Sequence, residues 1–275
     1  MRSLLALLSL MLVAGSLAYA QSAEDLVKVD LVSSVKSIEG GKPFDVAVRY
    51  RIAPEWHLYW INPGDSGIPP KLKWQLPSGF VAGEPRFPVP KKFKSEGDIW
   101  NYGYSEELIL LVSITPPTTF SGTASLQLDT SYLVCKEACL PGKANVKTEL
   151  QAGSGEKNDT ESFGLWLARL PVTTVTPTTV AAEQNDGKID QIHVTFVVTL
   201  PRNTKDPEFF PGPSDTVSFK DIKVDDSGEI QFSVVPLNKI SKLDETVMGI
   251  LAYTDASNIR RGLELKTHLN VDAGK

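Results

Sequence analysis

Cysteine is scarce in this sequence, which has only Cys135 and Cys139 among its 275 residues. Small secreted proteins whose fold depends on disulfides carry many more cysteines, so the sequence does not predict a disulfide scaffold. Long apolar segments are also lacking, because no stretch after residue 20 approaches the roughly 18 uninterrupted apolar residues of a membrane-spanning helix. The 28 basic and 33 acidic residues form no blocks of one sign. This distribution predicts no nucleic-acid partner and no anionic lipid surface.

The N-terminus has the pattern of an export signal. Arg2 is followed by a mostly apolar run over residues 4–13, and small residues then end in Ala18, Tyr19 and Ala20. This order predicts a secretory signal peptide over residues 1–20. We therefore expect a soluble, exported mature chain.

Most of the mature sequence is typical of short β-strands separated by turns. Runs rich in Val, Ile, Leu and Thr with partial period-two alternation occupy residues 27–34, 44–52, 108–114, 124–134 and 144–150. A second strand-rich block covers residues 189–271. The sequence thus predicts an all-β protein with two β-sandwich units, residues 21–150 and 188–275.

The segment between the two blocks, residues 151–187, has the composition of a linker. It contains one short helix candidate over residues 161–170, where Phe163, Trp166 and Leu170 recur at helical spacing and Pro171 follows. We expect this helix to interrupt an otherwise irregular connection.

The two cysteines are separated by three residues, Lys136, Glu137 and Ala138. A disulfide requires Cα atoms about 4.4 to 6.8 Å apart, whereas residues four apart in a straight strand are roughly 13 Å apart. Either a helical turn or a three-residue hairpin loop must therefore bring the cysteines together. Strand-like sequence on both sides favours the hairpin.

Three uses of the pair follow from its chemistry. As a structural bridge it would contribute only about 2 kcal/mol, because it closes a loop of about five residues, against about 4.7 for a 100-residue loop. As a redox pair it would exchange with partner thiols. As two ligands for copper(I) it would need a third soft ligand, and His57 is the only histidine of the first unit. The spacing alone leaves these uses open.

Two further regions carry candidate residues. The tetrapeptide Gly64-Asp65-Ser66-Gly67 matches the nucleophile motif of chymotrypsin-like proteases. In those enzymes the histidine and the serine come from distant parts of the chain, whereas His57 is only nine residues from Ser66. A tight turn in which the Asp side chain accepts from backbone donors is the favoured interpretation.

The second region, residues 87–104, mixes aromatic residues with glycine, proline and charge. Its aromatic side chains either anchor a long loop to the core or form a lid over a reactive site. Gly97 and Gly103 would serve as hinges of such a lid.

Several blocks together resemble the N-terminal, substrate-facing domain of the DsbD and ScsB group of thiol:disulfide interchange proteins over residues 24–150. The blocks are HLYWINPGDSGIPPKLKWQLPSGF, FPVPKKF, NYGYSEELIL and YLVCKEACLPGKANVKTEL. The resemblance implies a periplasmic, immunoglobulin-like domain whose cysteine pair is redox-active and disulfide-forming. By motif position these cysteines are Cys135 and Cys139, and no cofactor or metal is implied.

The resemblance also implies partners and a cap. A membrane-embedded thiol reductase would donate electrons, and periplasmic thioredoxin-like or disulfide-isomerase-like proteins would accept them. The family's aromatic cap loop would fall within residues 91–104, with Phe93, Trp100 and Tyr102 as candidates, and Cys139 would be the more exposed cysteine.

Two departures from the DsbD pattern qualify this implication. DsbD has a longer interval between its cysteines, so the pair follows the ScsB-like pattern. The membrane-embedded and thioredoxin-like parts of full-length relatives are not in this sequence, so we expect a free-standing module with a separately encoded donor. Copper(I) binding by the same cysteines and a purely structural sandwich are the alternative functions.

Overall fold

A computed structural model describes residues 22–94, 97, 99–158, 160–175 and 178–273. The predicted signal peptide lies outside the described residues. Within them most of the chain is in β-strands, with two short helices. This confirms the all-β fold class.

The first half of the chain forms one short helix and eleven strands. In chain order they are α1 (Ala23–Leu26), β1 (Val27–Ser33), β2 (Ser37–Ile38), β3 (Phe44–Ile52), β4 (His57–Gly64), β5 (Lys71–Gln75), β6 (Val81–Ala82), β7 (Lys91–Lys94), β8 (Trp100–Ser105), β9 (Glu107–Thr115), β10 (Thr123–Cys135) and β11 (Cys139–Ala152). One sheet has the order β1-β3-β9-β6, and the other has the order β2-β11-β10-β4-β8-β7, with β5 paired to β10.

Strand β10 shows why these segments form a sandwich. Every second residue from Ala124 to Val134 is buried, while the residues between them are more exposed. Because successive side chains of a strand point to opposite faces, this alternation directs one face of the sheet into the core. The core between the two sheets draws on β3, β4, β9 and β10.

The second half forms one helix and eight strands. They are α2 (Thr160–Leu167), β12 (Val172–Val175), β13 (Thr178–Asn185), β14 (Lys188–Val197), β15 (Lys205–Pro211), β16 (Val217–Val224), β17 (Glu229–Pro236), β18 (Lys242–Thr254) and β19 (Arg260–Asp272). Two four-stranded sheets result, with the orders β12-β19-β18-β15 and β13-β14-β17-β16. They enclose a second core of their own.

The stretch with linker composition is more ordered than its composition suggests. Strand β12 pairs in parallel with β19, and β13 pairs antiparallel with β14. These pairings join most of residues 172–185 to the second pair of sheets. The boundaries of the two units stay a prediction.

Helix α2 lies where the spacing of apolar residues predicts one. Its Phe163 and Trp166 are buried in a small cluster on the first sheet, against Ala47, Ile109 and Leu111. The two rings contact each other edge to face, with centroids 4.9 Å apart. The helix thus covers the outer face of β3 and β9.

The two halves pack against each other through an aromatic contact. Phe210 of β15 is fully buried, and its ring centroid lies 5.2 Å from that of Tyr102 and 6.3 Å from that of Trp60. The Asn62 side chain donates a hydrogen bond of 2.8 Å to the Pro211 carbonyl. Phe210 therefore belongs to the core of the first half.

Candidate functional site

The two cysteines face each other at the tip of a long hairpin. Cys135 ends β10, Cys139 begins β11, and they are register partners. They form a disulfide with an S–S distance of 2.06 Å and a Cα–Cα distance of 4.2 Å. The amide of Lys136 donates to the carbonyl of Ala138 across the tip. The predicted hairpin is confirmed.

The two sulfurs differ in their access to solvent. Cys135 is only 2% exposed, whereas Cys139 belongs to the exposed residues. Because thiol–disulfide exchange requires an attacking thiolate to reach a sulfur, this difference makes Cys139 the approachable end of the bond.

His57 lies beside the buried cysteine. It is the first residue of β4 and the register partner of Cys135 on β10. His57 is 6% exposed, and its Nε2 has no hydrogen-bond partner among the described residues. Burial lowers the pKa of His57 below its ordinary value of 6.5, because a desolvated imidazole is less stable with a charge. A neutral imidazole is thus held next to Cys135.

Two aromatic side chains hold the imidazole in place. Phe93 of β7 stacks on the ring of His57, with centroids 4.7 Å apart and planes 13° apart. Tyr59 contacts the same ring edge to face at 5.2 Å. The Tyr59 hydroxyl lies 3.7 Å from the Cys139 sulfur. These contacts link both cysteines to one aromatic group.

A cavity of about 710 Å³ opens around the disulfide. Its lining consists of the two cysteines, Lys136 and Glu137 of the hairpin tip, the rings of His57, Tyr59 and Phe93, and the residues Glu55, Ser66, Lys94, Ile99 and Asn101. Two of the charged residues that line the cavity pair with each other, since the ammonium of Lys136 lies 2.9 Å from the Glu55 carboxylate. This hydrogen bond raises the pKa of Lys136. The cation next to Cys135 in sequence is therefore bound to a carboxylate.

The three cap candidates occupy different places. Phe93 lines the cavity. Tyr102 lies on the opposite face of the β7–β8 hairpin, against Phe210, where burial raises its pKa to about 12. Trp100 is 43% exposed, its ring lies 5.6 Å from the Lys94 ammonium, and it does not line the cavity. Alternation of side chains along the two strands puts Phe93 on one face of the hairpin and both Trp100 and Tyr102 on the other.

The rest of the candidate cap follows the same hairpin, although residues 95, 96 and 98 lie outside the described residues. Gly97 has a φ of 76°, which glycine adopts without strain, and no atom of the described residues lies within 4 Å of where a Cβ would be. Gly103 is packed within β8, where an added Cβ would lie 2.0 Å from the Leu58 carbonyl oxygen. Gly103 thus permits close approach of two strands, and its setting is not that of a hinge.

The protease-like tetrapeptide is a structural turn. The Asp65 carboxylate accepts a hydrogen bond of 2.8 Å from the amide of Trp100. The Ser66 hydroxyl donates to the side-chain oxygen of Asn101. Gly67, at a φ of 115°, packs against the ring of Tyr59. The turn thus fastens the start of β8, in agreement with the interpretation drawn from the sequence.

The sequence did not single out His57 as a neighbour of the disulfide. The pairing of β4 with β10 joins residues 78 positions apart, and no local spacing reveals such a contact.

Within the described residues no group of three or more His, Cys, Asp and Glu side chains is arranged to hold a metal ion. No helix in the same part of the chain has the length and apolarity needed to cross a membrane.

Comparison with known families agrees with this site. Residues 23–151 match the family of the N-terminal domain of thiol:disulfide interchange protein DsbD. This segment, just under half of the chain, is similar to that family. None of the curated proteins matches the sequence.

Two solved structures extend the comparison. The N-terminal periplasmic domain of ScsB from Proteus mirabilis is similar over 90% of this chain and 92% of that one, with 15% sequence identity and a TM-score of 0.59. The reduced N-terminal domain of DsbD from Neisseria meningitidis aligns with 49% of this chain and 92% of its own, with 16% identity and a TM-score of 0.33. The likeness to ScsB shows that the fold of both halves has a precedent. Family and site together support a thiol–disulfide interchange module.

Proposed function

We propose that this protein is a periplasmic thiol–disulfide exchange module that uses Cys135 and Cys139 as its redox pair. The main support for this proposal is the disulfide at a hairpin tip, in which Cys139 is exposed and Cys135 is buried beside His57. A bridge of five residues contributes little to stability, so exchange chemistry accounts for it better than a structural role does. The match of residues 23–151 to the DsbD N-terminal family supports the same chemistry, and the similarity to the periplasmic domain of ScsB supports the location.

The proposed exchange runs through Cys139. In the reduced protein the Cys139 thiolate attacks the disulfide of an acceptor, forms a mixed disulfide and releases one acceptor sulfur as a thiolate. The Cys135 sulfur then attacks Cys139, restores the intramolecular disulfide and releases the second acceptor sulfur. Two electrons have passed to the acceptor. An electron donor reverses these steps.

The partners in this proposal come from the family. A membrane-embedded thiol reductase supplies the electrons, and periplasmic thioredoxin-like or disulfide-isomerase-like proteins receive them. The cavity of about 710 Å³ beside the disulfide leaves room for a partner's cysteine loop. Phe93, stacked on His57 at the edge of this cavity, is the residue we assign as the cap. It would swing aside when a partner docks.

We also propose a division of labour along the chain. Residues 21–150 form the redox unit, residues 151–187 the connection and residues 188–275 the second unit. The second unit supports the first through the buried contact of Phe210 with Tyr102, the residue of β8 that faces it.

Trapping of mixed disulfides tests the function. Reduced Cys135→Ala protein, which lacks the resolving thiol, is incubated with an oxidised thioredoxin-fold protein and analysed on non-reducing gels. Cys139→Ala is the matched control, because its remaining sulfur is buried. We expect a reductant-sensitive adduct with Cys135→Ala and little with Cys139→Ala.

Two results would count against exchange through Cys139. Adducts of equal yield from both variants would show that burial does not distinguish the sulfurs. Absence of adducts from both would favour the structural bridge. Copper(I) binding stays an alternative hypothesis, and competition of the reduced protein with a copper(I) chelator addresses it.

A further inference from the structure

We infer that His57 exchanges a proton with Cys135 during the redox cycle. This inference rests on the proposed function and adds a residue to it. It concerns the resolving step, in which the buried sulfur must become a thiolate before it can attack.

Position is the first argument. His57 and Cys135 are register partners on the adjacent strands β4 and β10, and side chains of directly opposed residues have Cβ atoms about 4.5 to 5.5 Å apart on the same face. Both residues line the same cavity. The imidazole is therefore within reach of the Cys135 sulfur.

The state of the imidazole is the second argument. Its Nε2 is buried and has no hydrogen-bond partner among the described residues. Buried polar atoms of native proteins are nearly always paired, so an exception calls for a functional explanation. Stacking on Phe93 and edge contact with Tyr59 hold the ring. The ring that carries the unpaired nitrogen is thus held in position beside the residue whose sulfur must gain and lose a proton.

Among the described residues, the charged groups around the cavity provide no better proton acceptor. These charged groups are Glu55 before β4, Lys94 on β7, and Lys136 and Glu137 at the hairpin tip. Glu55 and Lys136 pair with each other, and the ammonium of Lys94 lies over the Trp100 ring. Glu137 is exposed at the tip. A carboxylate with an ordinary pKa near 4.3 is a weaker base than an imidazole.

The proton step can be written in full. In the mixed disulfide, neutral His57 accepts the thiol proton of Cys135, and the Cys135 sulfur attacks Cys139. The bond from Cys139 to the partner breaks, and the partner leaves as a thiolate with the electron pair. The imidazolium loses its stabilising neighbour once the thiolate is consumed, and its proton passes to solvent. In the reverse direction His57 takes up a proton from solvent and passes it to the Cys135 sulfur, which leaves the disulfide as a thiolate.

A two-step reaction with 5,5′-dithiobis(2-nitrobenzoic acid) isolates this step. The reduced protein first attacks the reagent through Cys139 and releases one coloured thiolate. The second release occurs when Cys135 resolves the adduct, and its first-order rate does not depend on the reagent concentration. This rate is measured between about pH 7 and about pH 9.5, on both sides of the ordinary thiol pKa of about 8.5.

Two variants of different shape probe the histidine. His57→Phe keeps a ring for Phe93 to stack on but removes the nitrogens, and His57→Gln keeps a polar group that does not titrate. His193→Gln, a substitution of an exposed histidine in the second unit, is the matched control. Circular dichroism verifies the fold of each protein before the kinetics.

We expect both His57 variants to release the second coloured thiolate roughly tenfold or more slowly than wild type near pH 7. This factor is a small share of the rate that general acid–base catalysis usually contributes. The deficit should shrink as the pH rises, because hydroxide then ionises Cys135 without help. The control should follow wild type at every pH.

The outcomes separate the inference from the function on which it rests. A slowing that is equal at all pH values would mean that His57 only shapes the site, and unchanged rates would also overturn its role as a proton acceptor. If the wild-type protein shows no second release, the exchange function itself fails.

Discussion

Reduction of the disulfide is expected to leave the fold intact. The bond closes a loop of five residues, which removes about 2 kcal/mol of chain entropy from the unfolded state. Beyond the cysteines, β10 and β11 stay paired from Val134 and Leu140 to Thr123 and Gln151. The hairpin therefore keeps its backbone pairing when the bond is broken.

This magnitude converts into a modest change in melting temperature. For chains of about 150 to 250 residues, 1 kcal/mol corresponds to roughly 2 to 4 °C. We expect thermal melts with dithiothreitol to show a midpoint lower by about 4 to 8 °C, with one cooperative transition retained. A double variant, Cys135→Ser with Cys139→Ser, should melt at the same temperature with and without reductant.

A much larger effect would contradict the reasoning. If reduction abolished the transition or lowered the midpoint far beyond this range, the disulfide would be a structural requirement. The double variant controls for effects of the reductant on other parts of the protein. Since the redox proposal requires a folded dithiol form, this melt tests its first condition.

Three further predictions concern the cap residue, His57 and the contact between the two halves. Phe93→Ala should let dithiothreitol reduce the disulfide several-fold faster, whereas Trp100→Ala should not, because Phe93 lines the cavity and Trp100 does not. Equal rates for the two variants would show that Phe93 is not the cap. Burial lowers the pKa of His57, so its contribution to stability is present above about pH 6.5 and is lost as the pH falls through the lower folded-state pKa. Urea unfolding at pH 8 and pH 5 should therefore show a smaller acid loss in His57→Gln than in wild type, and an equal loss would contradict the shift. Phe210→Ala should cost about 3 to 5 kcal/mol in urea unfolding, and a cost below about 1 kcal/mol would show that the contact between the halves is weak.

Much of the secondary structure was predictable from local patterns. The period-two alternation of β3, β9 and β10, and the helical spacing of Phe163 and Trp166, depend on neighbours in the chain. Spacing and covalent geometry limited the cysteines to a helical turn or a hairpin, and the strand-like sequence on both sides favoured the hairpin. Each of these predictions uses residues that are close in sequence, and each is confirmed by the strand and helix bounds.

The composition of residues 151–187 was a weaker guide. Strands β12 and β13 lie within this stretch because β19 and β14 provide them with pairing partners. Propensity is overridden where a neighbouring strand satisfies the backbone hydrogen bonds.

The chemistry of the site was decided by the tertiary structure. Pairing of β4 with β10 brings His57 to Cys135, and the twofold alternation of the β7–β8 hairpin sends Phe93 to the cavity and Tyr102 to Phe210. Both arrangements join segments that are distant in the chain or related by register. The sequence alone favoured a hairpin tip at which two thiols meet, and it could do so because that contact is local. Which sulfur is buried, and which base lies beside it, depends on packing between sheets, and that exists only in the folded chain.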